Sequence, residues 1–199
     1  MRSITPELQE VFKILCVNNG QNVDIFEHIP TLRNYAEQCN HVTEFGVRWV
    51  VSTWALLAGK PAILRSYDKW HPSHFGNEYK GRIERVERVA KENDVDYKFI
   101  VGDTLKISID ETDLLFIDTL HTYMQLKGEL ALHASKVNKY IILHDTTAYA
   151  HRGMGPELGG DNVPKGLWDA SIEFMAQNPQ WKVKQLFQNN SGMAVLEKT

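Results

Sequence analysis

Five acidic residues recur at one kind of position in this chain. Glu44, Asp68, Asp103, Asp118 and Asp145 each stand at, or beside, the end of a short apolar run. The runs are HVTEFG (His41 to Gly46), AILRSYD (Ala62 to Asp68), YKFIVGD (Tyr97 to Asp103), DLLFID (Asp113 to Asp118) and YIILHD (Tyr140 to Asp145). A carboxylate in a buried apolar run costs several kcal/mol to desolvate unless it is paired or reaches solvent. A single strand-end acid often does no more than cap the next helix or open a turn. Five at equivalent positions predict the floor of a polar ligand site. The fourth and fifth acids come with histidines, in I-D-x-x-H-x-Y from Ile117 to Tyr123 and in L-H-D from Leu143 to Asp145. Two devices are open to them. Asp118 and Asp145, with the hydroxyl or carbonyl of Thr146, could hold a hard divalent cation that lowers the pKa of a bound hydroxyl. Alternatively His121 or His144 could serve as general base, an effect worth about 10²–10⁴ in rate.

The first acid belongs to a strand–turn–helix unit, Glu44-Phe45-Gly46-Val47-Arg48, followed by helical spacing through Val50 to Leu57. Gly46 can take positive φ and admit a ligand close to the backbone, and the helix start offers free N–H groups. The dinucleotide fingerprint G-x-G-x-x-G is absent, because Arg48 and Val51 stand where further glycines are needed. No Walker loop occurs either. Asp68 ends the second run, where an acid can accept hydrogen bonds from both hydroxyls of a ribose. The pairing suits an adenosine-containing ligand with no pyrophosphate to cradle.

These residues need elements to position them. Between the apolar runs lie helical patterns: Ile83, Val86, Val89 and Ala90 share one face, and Tyr123, Leu126, Leu130 and Ala134 share another. Strand and helix in alternation predict a doubly wound α/β sheet, whose ligands bind beyond the carboxyl ends of the strands near the switch point. Two helices, roughly Pro6 to Cys16 and Thr31 to Cys39, precede the first strand and could cap a sheet edge or cover a site. After the fifth strand come an irregular, glycine-rich stretch over 148–165, a candidate substrate lid, and a helix near Leu167 to Ala176. The chain closes with WKVKQLF and GMAVLEK, joined through Gln-Asn-Asn-Ser as an antiparallel hairpin. The expected fold is a Rossmann-like, doubly wound, mostly parallel α/β sheet of about seven strands closed by that hairpin. The expected organisation is one domain over 1–199, with 1–40 a helical extension and 41–199 the core.

Composition narrows the function classes. The 199 residues are 43% hydrophobic and 24% charged, with a formal net charge of -3, which argues against a disordered chain and against attraction to nucleic acid or anionic lipid. Cys16 and Cys39, with no C-x-x-C pair, leave no material for a disulfide framework or a thiolate metal site. The first residues lack a secretory signal, and the apolar-leaning run Trp49 to Ala58 is too short to span a bilayer. The expectation is a cytoplasmic protein with a small-molecule substrate and no nucleic-acid or membrane partner. Trp49, Trp54 or the N-terminal helices could serve a homo-oligomer interface.

The order of motifs resembles the class I S-adenosylmethionine-dependent methyltransferases. It is most similar to small-molecule O-methyltransferases of the cephalosporin-hydroxylase and macrocin methyltransferase-like group. E-F-G-V-R with Ser52-Thr53, S-Y-D at Asp68, V-G-D-T at Asp103, F-I-D-T-L-H-T-Y and I-I-L-H-D-T carry the likeness, over roughly His41 to Thr146. The resemblance implies S-adenosylmethionine as cofactor, with Glu44, Gly46 and Val47 lining its methionine end and Arg48, Ser52 or Thr53 meeting its carboxylate. It places Asp68 on the ribose, Asp103 with Thr104 beside the adenine, and Asp118 with His121 at the reacting centre. It implies O-methylation of a small hydroxylated acceptor, such as a sugar or polyketide-like molecule, with magnesium or another divalent cation assisting. Three departures stand out: Gly46 is alone where the family has a glycine-rich turn, Thr119 replaces a frequent glycine, and Val137-Asn138-Lys139 replaces Pro-Gly-Gly. A different class of reading is a non-catalytic adenosyl-ligand-binding module or subunit with the same fold. A nicotinamide-dependent oxidoreductase is opposed by the missing fingerprint and the terminal hairpin.

Overall fold

Seven strands form one sheet: β1 (His41–Phe45), β2 (Ile63–Asp68), β3 (Asp96–Val101), β4 (Thr112–Ile117), β5 (Val137–His144), β6 (Trp181–Phe187) and β7 (Met193–Lys198). The computed structural model describes residues 3–18, 20 and 22–199. The strand order is β3-β2-β1-β4-β5-β7-β6, with the first five strands parallel and β7 antiparallel to both of its neighbours. The turn-rich Gln-Asn-Asn-Ser connection makes the expected antiparallel hairpin, and the hairpin adds to the sheet by inserting its second strand beside β5.

Period-2 alternation sorts the strand residues into two cores. Val42, Leu64, Leu114, Phe116 and Ile142 face one side, and Phe45, Leu115, Ile117, Ile141 and Leu143 face the other. The first side is covered by α1 (Pro6–Leu15), α2 (Ile29–Ala36), α3 (Val51–Ala58) and α4 (Arg82–Glu92). The second is covered by α5 (Tyr123–His133) and α6 (Leu167–Gln177). Leaving the sheet to opposite faces after β1 and after β4 makes that pair of strand ends the switch point.

The N-terminal helices are part of a face and not a cap on an edge. Their partner α3 is apolar almost all round, and every residue from Ser52 to Ala58 is buried. Such a helix needs cover on two sides, the sheet on one and α1 with α2 on the other. The approach of α2 to α3 is close enough that a Cβ on Gly59 would lie 2.5 Å from Ala36 Cβ and 2.7 Å from Arg33 O. Helix α2 begins at Ile29, before the expected Thr31, because Pro30 fits the first helical turn. No helix among the described residues is long and apolar enough to cross a membrane.

If α2 belongs to the core, Leu32→Ala will cost about 2–5 kcal/mol of stability in urea denaturation, since Leu32 is 0% exposed. A loss below about 1 kcal/mol would show that this layer is dispensable.

Candidate active site

The loops after β1 and β4 touch through their backbones. Gly46 has φ +86°, and a Cβ there would lie 1.8 Å from Asp118 O, so no side chain fits. Gly46 N–H donates to Tyr67 O at 2.9 Å, and Asp118 N–H donates to Phe45 O at 2.9 Å, which ties both loops to the strand ends. Two cavities open on either side of this contact. One, of about 560 Å³, lies over the ends of β2 and β3, between Asp68, Trp70, Phe75, Asp103, Thr104 and Gln125. The other, of about 110 Å³, lies toward β5, against Trp49, Ser52, His121 and Asp145, with Asp24 and Ile25 arriving from the N-terminal segment. Gly46, Arg48, Asp118 and Thr119 line both.

Two carboxylates and two imidazoles meet at the ends of β4 and β5. His121 Nε2 is 3.2 Å from Asp118 Oδ1 and 2.9 Å from Asp145 Oδ2. His144 Nδ1 lies behind them, 3.3 Å from Asp145 Oδ2 and 3.7 Å from Asp118 Oδ2. Asp145 adopts φ +58°, a left-handed conformation that aspartate tolerates better than most residues. Tyr149 stacks on the His121 ring with centroids 4.8 Å apart, and Met154 N–H donates to His121 O at 2.7 Å. Burial on its own disfavours every charge here, but the mutual attraction is stronger. Despite burial, the adjacent carboxylates raise His121 to about 9 and His144 to about 10. Against the same burial, the imidazolium charges and their hydrogen bonds hold Asp118 and Asp145 below the usual carboxylate range. One ligand atom from each of Asp118, His121 and Asp145 lies within 4.8 Å of the others, a mixed nitrogen and oxygen donor set suited to a divalent cation.

Several expected site residues are committed to the protein's own groups. Glu44 lines neither cavity, because it is the second-to-last residue of β1 and points under the turn toward α3. Its carboxyl is 0% exposed and accepts from Ser52 Oγ at 2.6 Å, Thr53 Oγ1 at 2.8 Å and Ser66 Oγ at 2.5 Å. Burial pushes it up to about 7 in spite of those hydroxyls. The Ser52 and Thr53 hydroxyls are thus committed to Glu44 and not turned to a ligand. Asp68 clamps the turn after β1: Oδ2 accepts from Val47 N–H at 2.7 Å and Arg48 N–H at 3.0 Å, and Oδ1 from Trp70 N–H at 3.0 Å. That turn holds Arg48 at φ +38° and Val50 at φ +69°, strained for non-glycine residues and most of all for a β-branched one.

Asp103 does border the larger cavity, while its Oδ1 accepts from Leu105 N–H at 3.0 Å. Trp70 lies at the same cavity, its ring stacked on His74 at 4.6 Å. The Thr146 hydroxyl is buried with no hydrogen-bond partner among the described residues and lines neither cavity, while His121 stands beside Asp118 and Asp145. The 148–165 loop is pinned beside His121 by Gly153 N–H to Lys165 O, Met154 N–H to His121 O and Asp161 N–H to Met154 O. Of its residues, Gly159 reaches the larger cavity.

Sequence reasoning missed Glu129 and Gln125. Glu129 is 0% exposed on α5, where Oε1 accepts from Thr104 Oγ1 at 2.6 Å and Gln125 Nε2 at 2.8 Å, and Oε2 from Thr119 Oγ1 at 3.0 Å. Burial pushes it, too, up to about 7. The available signal was an acid among Leu126, Leu130 and Ala134 on the apolar face of its helix. It also missed Asp24, Ile25 and Tyr149, which come from segments outside the strand-end motifs.

No family model matches the chain, and no curated protein matches it. Solved structures do. The chain is similar to an O-methyltransferase from Bacillus cereus in complex with SAH, at 12% identity and TM-score 0.57, covering 100% of this chain and 93% of that one. It is similar to an SAH-bound methyltransferase from Podospora anserina, at 15% identity and TM-score 0.56, covering 100% and 90%. A Corynebacterium glutamicum protein matches at 12% identity and TM-score 0.59, covering 100% and 92%. The shared property is the fold, the Rossmann-like sheet with its antiparallel closing strands.

Two outcomes follow from this geometry. Gly46→Ala will cost about 2 kcal/mol or more in chemical denaturation, because the added methyl cannot coexist with the Asp118 carbonyl. Glu129 binds its proton more tightly folded (about 7) than at its ordinary value of 4.5, so its contribution to stability is greatest below about 4.5 and declines as pH rises through about 7. From pH 5 to pH 8 the wild type should therefore lose stability relative to Glu129→Gln, on the order of 3 kcal/mol. A pH-independent difference between the two would refute the buried-acid account.

Proposed function

We propose that this protein is an S-adenosylmethionine-dependent O-methyltransferase acting on a hydroxyl of a small acceptor, assisted by a divalent cation. The observation that carries the reading is the position of the Asp118, His121 and Asp145 donor set at the switch point, lining the smaller of two adjoining cavities, with Asp118 reaching both. The larger cavity has the volume for an adenosyl group, with Asp68 and Asp103 at its rim. The smaller one lies where an acceptor would sit. The fold is shared with an O-methyltransferase in complex with SAH.

In such a transfer the acceptor oxygen attacks the methyl carbon in line with the departing sulfur. The C–S bond breaks as the C–O bond forms, the sulfonium becomes a neutral thioether, and the hydroxyl proton passes to a nearby base or water. Positioning accounts for most of the help a protein can give to a single displacement. Gly46 lets the two loops between the cavities meet, since any side chain there would collide with the Asp118 carbonyl. Asp118, His121 and Asp145 fit a divalent cation by donor type. With His121 neutral as a ligand must be, two carboxylates face one charged imidazole, His144, and the cluster is one positive charge short. When bound there, a divalent cation supplies a Lewis acid that lowers the pKa of a hydroxyl. Tyr149 holds the plane of the His121 ring by stacking on it. A ribose at Asp68 would compete with the amides of Val47 and Arg48, so those two N–H groups are the ones a ligand would release.

Calorimetric titration with S-adenosylhomocysteine, with and without magnesium and with NAD as control, tests the reading. Micromolar binding of S-adenosylhomocysteine and none of NAD is expected, and failure of S-adenosylhomocysteine to bind in either condition would overturn it. Asp145→Ala should weaken manganese binding, followed by its paramagnetic signal, at least about tenfold. Unchanged manganese affinity would remove the cation from the mechanism.

A further inference from the structure

We propose that Gln125 reads the base of the bound nucleoside, and that Glu129 is a positioning residue that fixes which end of the Gln125 amide the base meets. The inference rests on the adenosyl reading of the larger cavity and adds the group that discriminates between bases.

Gln125 sits in the first turn of α5, where its backbone N–H is taken by the capping hydroxyl of Thr122 at 3.2 Å. Its side chain does not fold back on that cap. Nε2 donates to Thr104 Oγ1 at 3.0 Å and to Glu129 Oε1 at 2.8 Å, so both amide hydrogens are in use. Reversing the amide would bring two oxygen acceptors together at the Glu129 contact, inside a buried network where an unmade hydrogen bond is most costly. Glu129 cannot yield, because its other oxygen is fixed by Thr119 Oγ1 and its helix is buried against the sheet. Both oxygens of the Glu129 carboxyl act as acceptors in this network, Oε1 from Thr104 and Gln125 and Oε2 from Thr119. The segment bearing Thr104 is held in turn, with His133 Nε2 2.7 Å from Thr104 O.

The amide therefore has one stable orientation, and its carbonyl Oε1 is the end left over. Oε1 has no hydrogen-bond partner among the described residues, and Gln125 lines the larger cavity with Asp103, Leu105 and Leu120. A locked carbonyl acceptor at that wall accepts from the exocyclic amino group of a 6-aminopurine. It opposes the carbonyl of a 6-oxopurine, which would leave two acceptors facing each other. A glutamine free to rotate would accept either base, and the buried glutamate beneath it removes that freedom. Neither Gln125 nor Glu129 belongs to the strand-end acids, and all three donors to Glu129 line the larger cavity.

The test is calorimetric titration of the full chain with S-adenosylhomocysteine and with S-inosylhomocysteine, which differ at the 6-position of the purine. Wild type should favour the adenosyl ligand by at least about tenfold, the scale of one hydrogen bond exchanged for an unpaired acceptor. Gln125→Leu should bring the two affinities within about threefold, through weaker adenosyl binding. Glu129→Gln replaces a group that demands donors by one that offers either, so Gln125 can turn, and the ratio should fall through stronger inosyl binding. A purely structural role for Glu129 would weaken both ligands alike and leave the ratio in place. Equal affinities in wild type, or a ratio unmoved in both variants, would overturn the assignment while the cofactor reading stands. Absence of S-adenosylhomocysteine binding to wild type would instead remove the cofactor reading, and this inference with it.

Discussion

Burial of charge at the ends of β4 and β5 is the constraint on which the site depends. Asp118, Asp145, His121 and His144 are each too costly to bury alone, by several kcal/mol. Two carboxylates and two imidazoles at contacts of 2.9 to 3.7 Å offset one another. The cluster then organises what surrounds it. It holds the loop after β5 through the stacking of Tyr149 on His121 and the hydrogen bond of Met154 N–H to His121 O. It draws in the N-terminal segment as well, since His28 meets the edge of the His144 ring at 5.5 Å while its Nε2 lies 3.0 Å from Asn189 O. The residues before β1 therefore reach the site by packing on its rear wall, besides covering α3.

Two further carboxyls, Glu44 and Glu129, are buried without any cationic partner, one on each side of the sheet. Each is surrounded by donors from short side chains: three hydroxyls for Glu44, two hydroxyls and an amide for Glu129. Burial lifts both to about 7, and a carboxyl near neutrality acts as a rigid, directional acceptor more than as a charge. Their positions differ in consequence. The donors to Glu44 serve to lock β1, β2 and α3 together. All three donors to Glu129, Thr104, Thr119 and Gln125, also line the larger cavity.

Much of the fold was legible because its signals are local. Both-face apolar runs mark central parallel strands, the period of Ile83, Val86, Val89 and Ala90 marks α4, and Gln-Asn-Asn-Ser between two apolar stretches marks the hairpin. The strand-end acids were legible for the same reason, and four of the five border the cavities. Glu44 misled because one residue of register decides which face a strand residue takes. As the second-to-last residue of β1 it follows Val42 into the α3 side, whereas Asp118 lies just past its strand. The Glu129 network was not legible, because Thr104 comes from 25 residues away and only the fold brings it there. The placement of α1 and α2 was half-written in the sequence: a helix as apolar as VSTWALLA needs cover on both sides, but nothing local says which segment supplies it.

At its narrowest contact the partition between the two cavities is main chain on both sides, the α-carbon of Gly46 against the carbonyl of Asp118. That contact has no side chain that mutation could trade for a larger or smaller one. Descendants of this sequence can remodel the outer walls freely, at Trp70 and Phe75 on one side or at Asp24 and Trp49 on the other. The spacing between the halves is inherited intact. Diversification of such a chain is thereby channelled toward new acceptors and new rims, and away from a new distance between donor and acceptor.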